Sequence, residues 1–164
     1  MSSDPAFAAS TARVGEAVSN YQAAVDDFDR EVARLLGVNE TDLRCLDVLI
    51  REESEPVTPR LLADRLGLTT GSVTAMLDRL EKIGYLTRSA HPTDKRRLIV
   101  RATDLARTRA FELMAPLLEE GSRLLAARYS SADLNLVSDF LDRTAELQTA
   151  HTRRLRDRGP YPRG

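Results

Sequence analysis

The three residues Gly67-Leu68-Thr69 constrain this chain more than any other stretch. They stand between two short segments that each carry helix signals. Before them, Thr58 can cap a helix and Pro59 can occupy its first position, where the missing N–H costs nothing; Gly67 then stops it. After them a second helix is expected over Thr70 to Ile83, ended by Gly84. Two short helices joined by so tight a turn make a helix-turn-helix. Beyond Gly84 the pattern becomes extended. Tyr85-Leu86-Thr87-Arg88 reads as one strand, and the β-branched, apolar Leu98-Ile99-Val100-Arg101 as another. Between them, Ser89 to Arg97 holds Pro92, Asp94 and three consecutive basic residues, so a hairpin with a long, positively charged tip is expected: a wing.

Helices flank this module on both sides. From about Thr11 to Leu36 the apolar positions Val14, Val18, Tyr21, Val25, Phe28, Val32 and Leu35 alternate in gaps of four and three, the seam of a helix that packs along its length. Gly37 supplies a left-handed cap. Such a helix packs back on its own chain, helps to build a dimer, or does both. Tyr21 and Phe28 either pack in that seam or line an effector pocket. Thr41 is expected to cap a second helix carrying Leu43, Leu46, Val48, Leu49 and Ile50. After the wing, Thr103-Asp104 opens a helix to about Tyr129 with the seam Ala106, Ala110, Leu113, Leu117, Gly121 and Leu124, bent by Pro116 near Glu112. Ser131 caps a last helix bearing Leu134, Val137, Leu141 and Leu147. The basic run Arg153 to Arg158 reads as a frayed end or a secondary nucleic-acid contact.

The fold class expected is therefore mainly α (α+β): a winged helix-turn-helix domain over 39–102, flanked by a helical dimerisation region made of 1–38 and 103–158, with a flexible tail at 159–164. Val14, Val18, Tyr21 and Val25 of the first helix, and Leu134, Val137 and Leu141 of the last, are the candidate dimer contacts.

Charge distribution points to a partner where total charge does not. The chain of 164 residues carries a net charge of −1, yet between Thr58 and Arg101 nine basic residues face four acidic ones. A basic module inside an acidic frame suits a polyanion. The inventory argues against an enzyme: the histidines are His91 and His151, and there is no Gly-rich phosphate loop or nucleophile–base cluster. One cysteine and two distant histidines do not make a metal site, and no cofactor is expected. Cys45, beside Leu46, reads as a small buried hydrophobe rather than a redox sensor, which would need an exposed thiolate near positive charge. No leader-like segment and no apolar run of membrane-spanning length are present, so a cytoplasmic protein without membrane contact is expected.

The helix from Thr70 turns Val73, Leu77, Leu80 and Ile83 to the core, with Met76 alongside. Its other side offers small residues and hydroxyls, which let a helix enter the major groove deeply and touch phosphates, base edges or thymine methyls. The candidate DNA contacts are Thr58, Arg60, Thr69, Thr70, Gly71, Ser72, Thr74, Ala75, Arg79 and Lys82, together with Lys95, Arg96 and Arg97 of the wing tip. The tip would enter the minor groove, whose negative potential attracts arginine. Asp94 is expected to pair with a nearby arginine and shape the tip.

The run from Leu62-Ala63-Asp64-Arg65-Leu66-Gly67-Leu68-Thr69 to Gly71-Ser72-Val73-Thr74, continued by Leu77-Asp78-Arg79-Leu80-Glu81-Lys82-Ile83-Gly84-Tyr85-Leu86 and by Asp94-Lys95-Arg96-Arg97, resembles the MarR family of bacterial and archaeal regulators. In that family Asp-x-Arg marks the wing, here Asp94 and Arg96. The resemblance implies a homodimer with interlocked terminal helices, binding to palindromic double-stranded operator DNA, and repression relieved by a small aromatic or phenolic effector. Where the family usually continues with Leu-Thr and a nearby glycine, this chain reads Ala102-Thr103-Asp104-Leu105-Ala106. It also has no cysteine near the start of the first helix, where the peroxide-sensing branch carries one. The rival reading is a winged-helix protein-interaction module that does not bind DNA. It predicts few basic residues on wing and recognition face, and an interaction insensitive to salt.

Overall fold

The computed structural model describes residues 4–52, 56–90, 94 and 97–158. Its elements run α1 (Pro5–Leu36), α2 (Glu40–Arg51), α3 (Pro59–Leu66), α4 (Thr70–Lys82), β1 (Leu86–Ala90), β2 (Leu98–Ala102), α5 (Asp104–Arg128) and α6 (Ser131–Arg156). The fold is mainly helical with one two-stranded antiparallel sheet. The expected tail at 159–164 lies outside the described residues.

Caps set the element boundaries. Asp4 accepts from the Ala6 N–H at 3.0 Å and Pro5 takes the first helical position, so α1 begins six residues before Thr11, where the apolar seam suggested. Asn39, not Thr41, caps α2 by accepting from the Asp42 N–H at 2.8 Å. Ser130 and Asp133 form a reciprocal capping box at the start of α6, one residue earlier than expected, and the two hydrogen bonds from Ser130 hold the Asp133 carboxyl below the usual carboxylate range. Gly67 has the left-handed φ of 67° that ends α3, and its N–H returns to the Ala63 carbonyl. A side chain there would be strained, which explains why a glycine occupies this sharp turn.

Two compact units divide within α5, the first reaching Ala115 and the second starting at Pro116. In the first, one apolar core joins the end of α1 (Val32, Leu36) to α2 (Cys45, Leu46, Leu49), α3 (Leu62), α4 (Val73, Met76, Leu77, Leu80), the hairpin (Leu86, Val100, Ala102) and the start of α5 (Ala106). Strands β1 and β2 pair with Leu86 opposite Ala102 and Ala90 opposite Leu98. Val57, just before α3, adds a short third rung by accepting from the Val100 N–H at 2.8 Å. The second unit holds the rest of α5 and α6, and α6 buries none of its described residues within this single chain.

Leu35, Ile83, Leu117 and Leu124, expected on packed seams, do not enter the core. Leu35 is exposed, because α1 turns Val32, Ala33 and Leu36 inward at its end and so leaves the four–three seam. Ile83 is exposed because α4 has ended at Lys82 and the chain swings through Gly84 into the hairpin. In α5 the seam is covered at Ala106 and half-covered at Ala110 and Leu113, whereas Leu117 and Leu124 are exposed.

Cys45 is wholly buried. Burial, with the Asp42 carboxylate as a smaller contribution, pushes its thiol from an ordinary 9.0 up to about 12. In the native protein at pH 8 it should resist a thiolate-directed reagent and react promptly once urea unfolds the chain; equal rates in both states would refute the assignment. The raised value also fixes a sign. Below pH 9 folded and unfolded chains both hold the proton and no pH dependence arises. Between 9 and about 12 only the unfolded chain releases it, so stability falls across that window, and Cys45→Ala should flatten this part of the profile.

Candidate nucleic-acid interface

Helix α4 divides its residues cleanly. Val73, Met76, Leu77 and Leu80 are buried, while Thr70, Gly71, Ser72, Thr74, Ala75, Asp78, Arg79 and Lys82 are exposed. Its N-terminal turn is fixed by Thr69, whose Oγ1 accepts from the Ser72 N–H at 3.2 Å and lies 2.9 Å from Ser72 Oγ. The Thr74 hydroxyl donates back to the Thr70 carbonyl at 3.0 Å. The first two turns therefore present small side chains with locally anchored hydroxyls beside the helix N-terminus, an arrangement that favours an anion. One helix earlier, Thr58 is half-buried and caps α3 by accepting from the Leu61 N–H at 3.2 Å, with Arg60 exposed next to it.

At the wing, the Arg97 N–H donates to the Asp94 carbonyl at 2.9 Å. Arg97 is exposed. Lys95 and Arg96 lie outside the described residues, as do His91, Pro92 and Thr93.

Three contacts between elements tie this face together. Arg79 Nη2 and Nε donate to Asp42 Oδ1 and Oδ2 at 2.7 and 3.2 Å, a forked pair between α4 and α2. The hydrogen bonds and opposite charge of Asp42 raise the guanidinium's pKa further, so Arg79 is permanently cationic. Arg88 of β1 reaches α4 from the other flank, with Nη2 2.6 Å from Asp78 Oδ1 and Nε 3.5 Å from Glu81 Oε2. Tyr85, buried at the foot of the hairpin, donates its hydroxyl to the Leu36 carbonyl at 3.0 Å and accepts from Arg109 of α5 at 2.8 Å. One sequence signal for the first contact exists. Asp42, Cys45, Leu46 and Leu49 form an i, i+3, i+4, i+7 stripe, and a carboxylate in a buried stripe demands a cation.

The candidate dimer contacts sit on uncovered surface of the chain. Val14, Tyr21 and Val25 on α1 and Val137 and Leu141 on α6 are exposed, and Val18 and Leu134 are half-buried. Phe28 packs against the core of the first unit, whereas Tyr21 does not.

Residues 38–98 match the sequence model of the MarR family. Over 129 residues, 79% of this chain and 82% of the other, the sequence is 35% identical to YcgE, an uncharacterised HTH-type transcriptional regulator of Bacillus subtilis strain 168. The chain belongs to the MarR family. A second relative from the same organism, the HTH-type transcriptional repressor YetL, is 29% identical over 73 residues, 44% of each chain. A MepR variant from a multidrug-resistant S. aureus clinical isolate shares the fold with a TM-score of 0.69 at 13% identity, over 82% of this chain and 96% of that one. The S. aureus MepR–DNA complex does so with a TM-score of 0.58 at 14% identity, over 79% and 96%. This MarR-family chain is a DNA-binding transcriptional regulator, and its relatives are regulators, not enzymes. Among its described residues no helix is long and apolar enough to cross a membrane.

Proposed function

We propose that this MarR-family chain acts in the cytoplasm as a homodimer on palindromic operator DNA, with α4 in the major groove and the wing in the minor groove. Residues 39–102 supply the DNA-binding domain, and 1–38 with 103–158 the dimerisation region. The contacts come from Arg60, the α4 face from Thr69 to Ala75 with Lys82, and Lys95, Arg96 and Arg97 of the tip. Thr58 contributes by orienting α3. The observation that carries this reading is the face of α4 itself: its first two turns are exposed, small and hydroxyl-bearing, while its buried stripe anchors it to the core.

Repression relieved by a small aromatic or phenolic acid is the regulatory form we favour. An open hollow of about 820 Å³ supports it, lined by Arg30 and Arg34 of α1, Leu68 of the turn, and Ala75, Met76 and Arg79 of α4 among others. Its apolar wall, with Val38, Leu68 and Met76, suits a ring; its arginines are paired with Asp27, Glu31 and Asp42, so a carboxylate ligand would have to compete with Asp27 or Glu31 at the rim.

Fluorescence anisotropy on an operator selected from a random DNA pool tests the reading. Arg97→Ala should weaken binding by ~1–3 kcal/mol and lower the salt slope by about one, with the dimer intact. Affinity that does not fall with salt would instead support the protein-interaction module. Adding a simple phenolic carboxylate to the same assay tests release, and undiminished anisotropy at millimolar concentration removes the effector from the proposal.

A further inference from the structure

We infer that Arg79 is a positioning residue of the reading helix and not one of its DNA contacts: its pairing with Asp42 of α2 sets how α4 presents Thr70 to Ala75. The inference rests on the proposed role of α4 as the helix that enters the groove.

The two partners differ sharply in surroundings. The Asp42 side chain is 4% exposed, whereas the Arg79 side chain is half exposed. Asp42 shares its helical stripe with the buried Cys45, Leu46 and Leu49. Both of its oxygens are engaged by the Arg79 fork, and its own N–H is held by the Asn39 cap. Swinging Arg79 out to a phosphate would leave a carboxylate buried without its cation. That costs more than a solvent-exposed ionic contact returns. Arg79 therefore stays with Asp42 when DNA arrives.

The position of the pair gives it leverage. Arg79 lies in the third turn of α4, beyond the small residues of the first two. Asp42 lies in the first turn of α2, where the helix dipole favours a negative charge. On the other flank Arg88 of β1 engages Asp78 and Glu81. The C-terminal half of α4 is thus tied by ion pairs to α2 and β1, while the first two turns are held by the buried Val73, Met76 and Leu77 alone. A lysine at 79 could not reproduce it, because an ammonium makes one point contact where the guanidinium makes a planar fork.

The test uses the full-length protein and the operator selected from a random pool, with anisotropy read across a range of salt and melting followed by circular dichroism. Arg79→Gln and Asp42→Asn should each weaken operator binding at least tenfold with the salt slope unchanged. The double variant should be no worse than either single one, and Arg79→Lys should fail to restore affinity. Two results would overturn the inference. In one, Arg79→Gln lowers the salt slope by about one while Asp42→Asn binds normally, which makes Arg79 a phosphate contact. In the other, both variants melt earlier yet bind normally well below their melting points, which makes the pair a stability feature alone. If Asp42→Asn does not fold, the apolar pair Asp42→Leu with Arg79→Leu removes both charges and keeps the core filled. A folded dimer with lost operator preference then supports the inference, and retained preference overturns it. Thr74→Val separates the two levels. If it leaves the selected sequence unaltered, α4 does not read DNA and the latch falls with it; if it alters the sequence while Asp42→Asn is silent, only the latch falls.

Discussion

A chain with aspartate in place of both Tyr21 and Leu141 should sediment as a monomer and bind operator DNA on the order of 100- to 10,000-fold more weakly, because the two half-site contacts of the proposed homodimer are no longer linked. The expectation starts from surface that a lone chain leaves wet. Tyr21 is 67% exposed and Leu141 49%, and they stand in rows with Val14 and Val25 on α1 and with Val137 on α6. Scattered apolar residues are ordinary on a surface, but rows of them on long helices mark an interface. An aspartate buried in such an interface meets a desolvation cost with no compensating partner. Neither position belongs to the core of the first unit, so helix content should be preserved. That separates loss of assembly from loss of folding. A wild-type monomer at micromolar concentration, or a double variant that still dimerises, would sink the prediction.

Leu80→Ala should lower the stability of the folded protein by about 2–5 kcal/mol, whereas Ile83→Ala, three residues away, should cost less than about 1 kcal/mol. The α4 pattern assigns both side chains to the core. In the structure Leu80 is 0% exposed, in one cluster with Met76, Leu77, Tyr85 and Leu86, and Ile83 is 43% exposed. Truncating Leu80 removes apolar contact and leaves a void in a close-packed interior; truncating Ile83 only trims a surface already in water. The larger loss is a sizeable fraction of the stability of a typical domain. Urea unfolding at one fixed protein concentration reads both values, since the stability of any oligomer, the proposed dimer included, depends on concentration. Equal costs for the two variants would mean that α4 packs along a different face.

Much of the architecture was legible from local chemistry. The order of helices and strands, the cap of α3 by Thr58 with Pro59 behind it, the stop at Gly67 and the hairpin after Gly84 all follow from preferences that act within about four residues. Missed boundaries had local causes as well. Asp4-Pro5 is a complete start signal for α1, but the apolar seam begins only at Val14, so the cap stands well ahead of the first periodic residue.

The face of α4 shows where that kind of reading stops. Its exposed small residues followed from the spacing of Val73, Leu77 and Leu80, so which residues point outward was written in the sequence. What holds them there was not. Arg79 looked like one more outward cation until α2 placed the buried Asp42 against it, 37 residues away in the chain. Arg88 became a clamp on α4, and Val57 a third rung beside Val100, by the same means. Caps and amphipathic stripes depend on neighbours along the chain, so a sequence carries them openly. Ion pairs between elements and the choice between Leu80 and Ile83 depend on where separate helices come to rest, and only the packed tertiary structure decides that.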